Sequence, residues 1–164
     1  MLSITSSAKR IYLTGMSGTG KSSIITNLRN RGYRAVDTDY NNWKVFSESD
    51  REWILNEEKM YDFLESTKED ALFISGCCSN QSKFYKFFDY IILLSASIET
   101  ILERVSERQS NAYGRTVAER NEIIRNFKNI QPLLKETADI EYDTEKLTIE
   151  QITNNLTSLL RHCK

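Results

Sequence analysis

Apolar residues recur along the chain in two rhythms that alternate from start to end. Arg10-Ile11-Tyr12-Leu13-Thr14 is rich in β-branched and aromatic side chains and reads as a strand. From Ser22 to Arg31 the apolar positions Ile24, Ile25 and Leu28 keep helical spacing, and Gly32 stops the pattern. Tyr33-Arg34-Ala35-Val36 reads as a second strand, running into Asp37-Thr38-Asp39. Ser49-Asp50-Arg51-Glu52 matches a capping box, so a helix is expected from there through Trp53, Leu55, Met60 and Leu64. Ala71-Leu72-Phe73-Ile74-Ser75 predicts a third strand ending at Gly76, and Lys83 to Phe87 a short helix. Asp89 to Leu94 is the most hydrophobic run and predicts a fourth strand; a long helical pattern spans Ser97 to about Gln109. Thr116-Val117-Ala118-Glu119 is a second capping box, opening a helix to about Lys135 with Pro132 near its end. Ile140 to Asp143 is a weak fifth strand, and Thr148-Ile149-Glu150-Gln151 caps a last helix ending near His162.

Strands alternating with helices predict a parallel sheet covered on both faces, the α/β class. Right-handed crossovers leave few topologies. The expected one is a five-stranded sheet in order 2-3-1-4-5 with the first strand central. Residues 1–164 read as one domain with no internal repeat and no low-complexity segment, and residues 108–115 form a polar loop between two long helices.

Composition narrows the class of protein without naming a chemistry. The chain has 164 residues, 40% hydrophobic and 27% charged, long enough for one core without staples. Its 22 basic and 23 acidic side chains leave a net charge of −1, which excludes a strongly basic nucleic-acid coat. No run of apolar residues is long enough for a membrane span. The Ser/Thr-rich start precedes the first basic pair, Lys9-Arg10, the wrong order for a secretory signal. Three cysteines without a CxxC pair fit reduced thiols and a cytoplasmic location. Cys77 and Cys78 have no histidine or carboxylate at metal spacing, so no zinc site is expected. The single histidine, His162, stands far from every motif, and no Ser-His-Asp set can be built.

Chemistry concentrates in Gly15-Met16-Ser17-Gly18-Thr19-Gly20-Lys21-Ser22, a full G-x-x-x-x-G-K-[ST] match between a predicted strand and a predicted helix. Consecutive backbone N–H groups can converge on phosphate oxygens only where glycine permits the turn and the close approach. The following helix adds the positive end of its dipole. Lys21 supplies a mobile charge for the β- and γ-phosphates, and the Ser22 hydroxyl is a ligand for Mg²⁺. Ser23 continues the cradle. ATP and Mg²⁺ are therefore the expected cofactors.

The DxxG and NKxD strings of a switch GTPase are absent. The strand from Ala71 to Ser75 ends without the carboxylate that ATPase motors place beside their phosphate loop. Acids at the carboxyl edge of the sheet are instead Asp37 and Asp39, after the second strand.

The phosphate loop, the short chain and the D-x-D after the second strand resemble the small-molecule kinases of the shikimate kinase, gluconate kinase and nucleoside monophosphate kinase group. That resemblance implies a P-loop kinase fold with a small lid. It makes Asp37 the metal residue and Asp39 the acceptor residue. Ser75-Gly76-Cys77-Cys78 matches the group's glycine-rich turn only loosely. Leu102 to Arg108 carries Arg104 and Arg108 at the spacing by which such kinases present arginine to ATP, and Asn111 to Arg115 is the implied lid. Asp143-Thr144 falls where the group's adenine-contacting loop lies. The basic R-P-L-L cluster of shikimate kinases is missing, which leaves the acceptor open.

Phosphoryl transfer needs in-line placement, Mg²⁺ and cations where charge develops. Lys21 and either Arg104 or Arg108 fit the cations, and Asp39 an orienting base. Gly76, Asn80, Gln81, Arg115 and Trp43, with Tyr40 beside it, are candidate acceptor contacts. Two functions follow: a kinase of a small-molecule alcohol or phosphate, working as a monomer or homodimer, or a nucleotide-gated regulatory module with slow ATP hydrolysis.

Overall fold

The computed structural model describes residues 9–109 and 111–161; residues 1–8, His162 and Cys163 lie outside them. Among the described residues no helix is long and apolar enough to cross a membrane.

Five parallel strands make the main sheet: β1 (Lys9–Thr14), β2 (Arg34–Asp37), β5 (Ala71–Ser75), β6 (Tyr90–Ser95) and β7 (Ile140–Asp143). Two further strands, β3 (Lys44–Ser47) and β4 (Glu52–Leu55), pair antiparallel in a separate hairpin. The spatial order is β2-β5-β1-β6-β7, with β1 central. It differs from the expected 2-3-1-4-5 in its numbering, because the hairpin adds two strands between β2 and β5.

Each inner strand is buried on both faces, which explains its continuous hydrophobicity. Ile11 and Leu13 of β1, Phe73 of β5, and Ile92 and Leu94 of β6 face one side. There they meet Ile24, Ile25 and Leu28 of α1 (Lys21–Asn30) and Ile152 and Leu156 of α5 (Ile149–Leu159). The alternate residues Tyr12, Leu72, Ile74 and Ile91 face the other side, against Met60 and Leu64 of α2 (Glu57–Ser66) and Phe84 of a 3-10 helix, Gln81–Phe87. On that side Leu93 also meets Ile101 and Val105 of α3 (Ile98–Glu107) and Ile123 and Leu134 of α4 (Val117–Thr137). Full burial of each such side chain contributes about 1.5–3 kcal/mol.

The capping boxes at Thr116 and Thr148 form as expected, each threonine accepting from the N3 amide. The one expected at Ser49 does not. Asp50 N donates to Ser47 Oγ at 3.3 Å and Ser47 Oγ donates to Asp50 Oδ2 at 2.9 Å, while Arg51 takes φ of +54°. Those polar groups close a hairpin turn. The same side chains that cap a helix also stabilise turns, and Trp53-Ile54-Leu55 has strand propensity. Helix α2 begins only after Asn56, whose side chain accepts from Lys59 N. The expected Lys83–Phe87 helix is the 3-10 segment.

Candidate functional site

The carboxyl ends of β1 and β2 and the first turn of α1 converge on one cleft. Gly15 follows β1 with φ of +153°, and a Cβ there would lie 2.4 Å from the Leu94 carbonyl oxygen of β6. Only glycine lets the loop pass that close to the neighbouring strand. Lys21, at the start of α1, is 9% exposed, and its Nζ donates to the Gly15 and Met16 carbonyls at 2.5 and 3.0 Å. Thr19 is fully buried with its hydroxyl on the Met16 carbonyl, so its side chain braces the loop from inside.

Ser17, Gly18, Gly20, Lys21, Ser22, Ser23, Asp39, Tyr40, Arg104, Arg108 and Asn111 line a cavity of about 230 Å³. A second hollow of about 480 Å³ shares Ser22, Ser23 and Tyr40 with it and adds Asp37 and Arg29. The cradle, both arginines and both aspartates thus stand around two adjoining hollows.

Ser22 Oγ donates to Asp37 Oδ2 at 2.6 Å, and Asp37 Oδ1 accepts from the Asp39 amide at 3.0 Å. Asp37 is 4% exposed and lies in register with Ser75 of β5. Ser75 Oγ is fully buried without a hydrogen-bond partner. A hydroxyl, a carboxylate and an unpaired hydroxyl at one strand edge suit a hard cation that keeps most of its waters, as magnesium does. Among the described residues no cluster of three or more His, Cys, Asp or Glu exists to hold a metal by protein ligands alone.

Asp39 Oδ1 accepts from Lys44 Nζ at 2.5 Å. Burial pushes the Asp39 carboxyl up, but the Lys44 hydrogen bond and the charges of Lys21, Lys44 and Arg108 outweigh it and hold it below the usual range. Lys44 is shifted the other way: burial lowers it, and its bond to Asp39 raises it further. Both groups are therefore ionised at neutral pH. Nothing in the pattern Lys44-Val45-Phe46-Ser47 marked Lys44, because its reach to Asp39 depends on the hairpin.

On α3, Arg104 Nη1 donates to Thr144 Oγ1 at 2.7 Å and to the Gly18 carbonyl at 3.3 Å, and Nη2 to the Thr144 carbonyl at 3.2 Å. It ties the phosphate loop to the loop after β7. Arg108, which ends α3, donates to the Asn111 and Tyr113 carbonyls at 3.2 and 3.0 Å. Arg115 donates to the Arg108 carbonyl.

Several expected contacts are placed elsewhere. Trp43 is 7% exposed in the core, edge-on to Phe63 with ring centroids 5.1 Å apart, and does not line the cleft. Asn80 Oδ1 accepts from Leu55 N, and its Nδ2 donates to Leu55 O and Glu57, so it fastens the end of β4. Gln81 is 3% exposed and satisfied on all sides: it donates to Thr14 Oγ1 and Tyr85 OH and accepts from Tyr12 OH and Cys78 N. A Cβ on Gly76 would lie 2.2 Å from Thr38 Oγ1, so that glycine serves close packing of β5 against the turn after β2. Arg115, Asp143 and Thr144 line neither hollow. Asp143 Oδ1 accepts from Glu145 N, and Thr144 Oγ1 donates to the Ser95 carbonyl. Burial, with Lys44 opposing it, pushes the Cys78 thiol up to about 11, which leaves it protonated and unreactive at neutral pH.

The family model described as an AAA domain matches residues 11–125, from β1 into α4. The chain belongs to this family. Solved structures agree with the AAA-domain assignment in fold. Shikimate kinase from Bacteroides thetaiotaomicron superposes with a TM-score of 0.66 over 94% of this chain and 99% of its own, at 18% identity. Shikimate kinase from Acinetobacter baumannii, in complex with shikimate, gives 0.67 over 93% of each chain at 16% identity. TT1252 from Thermus thermophilus gives 0.60 over 96% and 99% at 14% identity. No curated protein sequence matches the chain significantly. This AAA domain therefore has the P-loop kinase fold, and at such identities the likeness extends to the fold alone.

Proposed function

We propose that this AAA-domain protein is an ATP-dependent phosphotransferase that moves the γ-phosphoryl group to the hydroxyl of a small molecule. One observation carries the reading: Lys21, Arg104, Arg108 and Asp39 line a single cavity above the phosphate loop. Cations surround the place where charge spreads in the transition state, and a carboxylate stands beside them to orient the attacking oxygen.

The backbone from Gly15 to Ser22 and the Lys21 ammonium would hold the phosphates. Arg108, free to turn from the carbonyls it now holds, would follow the transferring group, and Arg104 would keep the loop after β7 docked on the cradle. The Ser22 hydroxyl and, through water, Asp37 would hold magnesium, which when bound would neutralise charge on the phosphate oxygens. Asp39, ionised and held by Lys44, accepts a hydrogen bond from the acceptor hydroxyl. The acceptor oxygen bonds to the γ-phosphorus as the bond to the β–γ bridging oxygen breaks, and that oxygen leaves with ADP. The acceptor's proton passes to Asp39 late and then to solvent, since a carboxyl with a lowered pKa is a weak base.

Coupled ADP release across a panel of alcohols tests the reading. ADP should appear only with an acceptor, and Lys21→Ala should abolish turnover with the circular dichroism spectrum unchanged. Normal activity in Lys21→Ala would overturn it.

A further inference from the structure

Among the described residues, four of the seven large hydrophobic side chains that stay exposed are Tyr40, Val45, Phe46 and Trp53, all in the segment between β2 and α2. Phe46 is 45% and Trp53 62% exposed. Their rings meet edge to face with centroids 5.7 Å apart and planes at 68°. Half-exposed aromatic pairs on a two-stranded hairpin carry an unfavourable hydration that a ligand ring would relieve.

The register says where this pair points. Phe46 is the partner of Trp53 and Lys44 the partner of Leu55. Directly opposed residues share a face, and every second residue returns to it, so these four side chains occupy one face of the hairpin. At its inner end Leu55 is fully buried and Lys44 Nζ lies 2.5 Å from Asp39 Oδ1. The aromatic pair stands two residues, about 7 Å, farther along the same face. Tyr40, 45% exposed, lines both hollows beside Asp39. Lys44 therefore stands on that face between the aromatic pair and the carboxylate that would orient the acceptor.

Charge selects further. Lys44 is already bound to Asp39, Glu52 lies on the opposite face against Ser79, and the turn beyond the aromatic pair carries Glu48 and Asp50 against Arg51. An acceptor with a carboxylate or phosphate would meet a surplus of like charge there.

We propose that the hairpin is the acceptor platform, and that it takes an alcohol bearing a planar ring and no anionic group, the ring stacked on Phe46 and Trp53 and the hydroxyl directed to Asp39. This rests on the phosphotransferase reading above. Of the chain's two tryptophans Trp43 is buried, so a change in indole emission on binding reports the exposed Trp53.

The test uses the full chain saturated with Mg²⁺ and a non-hydrolysable ATP analogue, which occupies the nucleotide site. Adenosine, guanosine, cytidine, uridine, thymidine and pyridoxine are titrated by calorimetry and fluorescence, with shikimate, gluconate and AMP as anionic comparators. At least one planar-ring alcohol should bind and change the emission. Phe46→Ala and Trp53→Ala should each weaken it about tenfold or more, Trp53→Phe should restore most of the loss, and affinity for the ATP analogue should not move. No binding from any ring alcohol, tighter binding of an anionic comparator, or variants that bind normally would each overturn the proposal. So would a concentration-dependent dimer that Trp53→Ala dissolves, since a second copy would then be the occupant. The binding readout needs no turnover: a ring alcohol that binds in this way yet releases no ADP when ATP replaces the analogue refutes phosphotransfer and leaves the platform standing.

Discussion

Gln81→Ala separates a structural role for that side chain from the acceptor contact that its position after β5 suggests. Its amide joins four partners: Thr14 Oγ1 at 2.9 Å, Tyr85 OH at 2.7 Å, Tyr12 OH at 3.3 Å and Cys78 N at 2.9 Å. Tyr12 and Thr14 are fully buried, so water does not replace the lost partner without opening the core. Leaving a buried polar group unpaired costs about 1–3 kcal/mol, and two such groups with the small cavity should destabilise the fold by about 4 kcal/mol. For a domain of this size that lowers the melting temperature by roughly 10 °C. Urea denaturation followed by circular dichroism measures the loss directly. ATP-analogue affinity, measured at low temperature where the variant stays folded, should be unchanged. A midpoint close to wild type together with weakened acceptor binding would refute the packing argument and return Gln81 to the acceptor site.

The two aspartates should fail differently. Asp37→Asn should raise the Mg²⁺ concentration needed for turnover and spare acceptor affinity, whereas Asp39→Asn should cut turnover about a hundredfold at saturating Mg²⁺; kinetics across a Mg²⁺ series distinguishes them, and a reversed pattern would exchange the roles. Lys44→Met should shift the acid side of the stability profile. A depressed carboxyl such as Asp39 contributes stability that is full above the ordinary value near 4 and lost as pH falls through its lowered folded value. Without Lys44 that carboxyl rises, so the variant should be less stable than the wild type at neutral pH and lose less on acidification, its urea midpoints approaching the wild type's below about pH 4; a gap that stays constant with pH, or none at all, would count against the pair. Backbone amides of residues 111–115 should exchange more slowly once the ATP analogue and Mg²⁺ recruit Arg108; identical hydrogen exchange with and without nucleotide would rule out a lid.

Local signals settled much of the architecture before any tertiary contact was known. The strand–glycine cradle–helix unit from Arg10 to Arg31 was legible because phosphate binding by backbone amides demands glycine at set intervals, and because α1 repeats its apolar positions every three to four residues. The two threonine capping boxes were legible for the same reason: each is a contact between residues three apart. The acids at the edge of β2 could be located because a parallel sheet directs its carboxyl ends to one cleft. The hairpin could not be read, since Ser49 to Glu52 suits a helix start and a turn equally, and only packing decides between them. Leu55 is buried against the second core and Asn80 clamps its backbone, contacts that span 25 residues of chain. Trp43, Asn80 and Gln81 have side chains suited to binding a ligand, yet the folded chain spends them on its own interior. Lys44 became part of the site only when the hairpin brought it to Asp39. Sequence alone determined the phosphate cradle and the parallel sheet, whose causes lie within a few residues of each other. Tertiary structure decided which polar side chains remain free for chemistry, because that depends on partners that only long-range packing supplies.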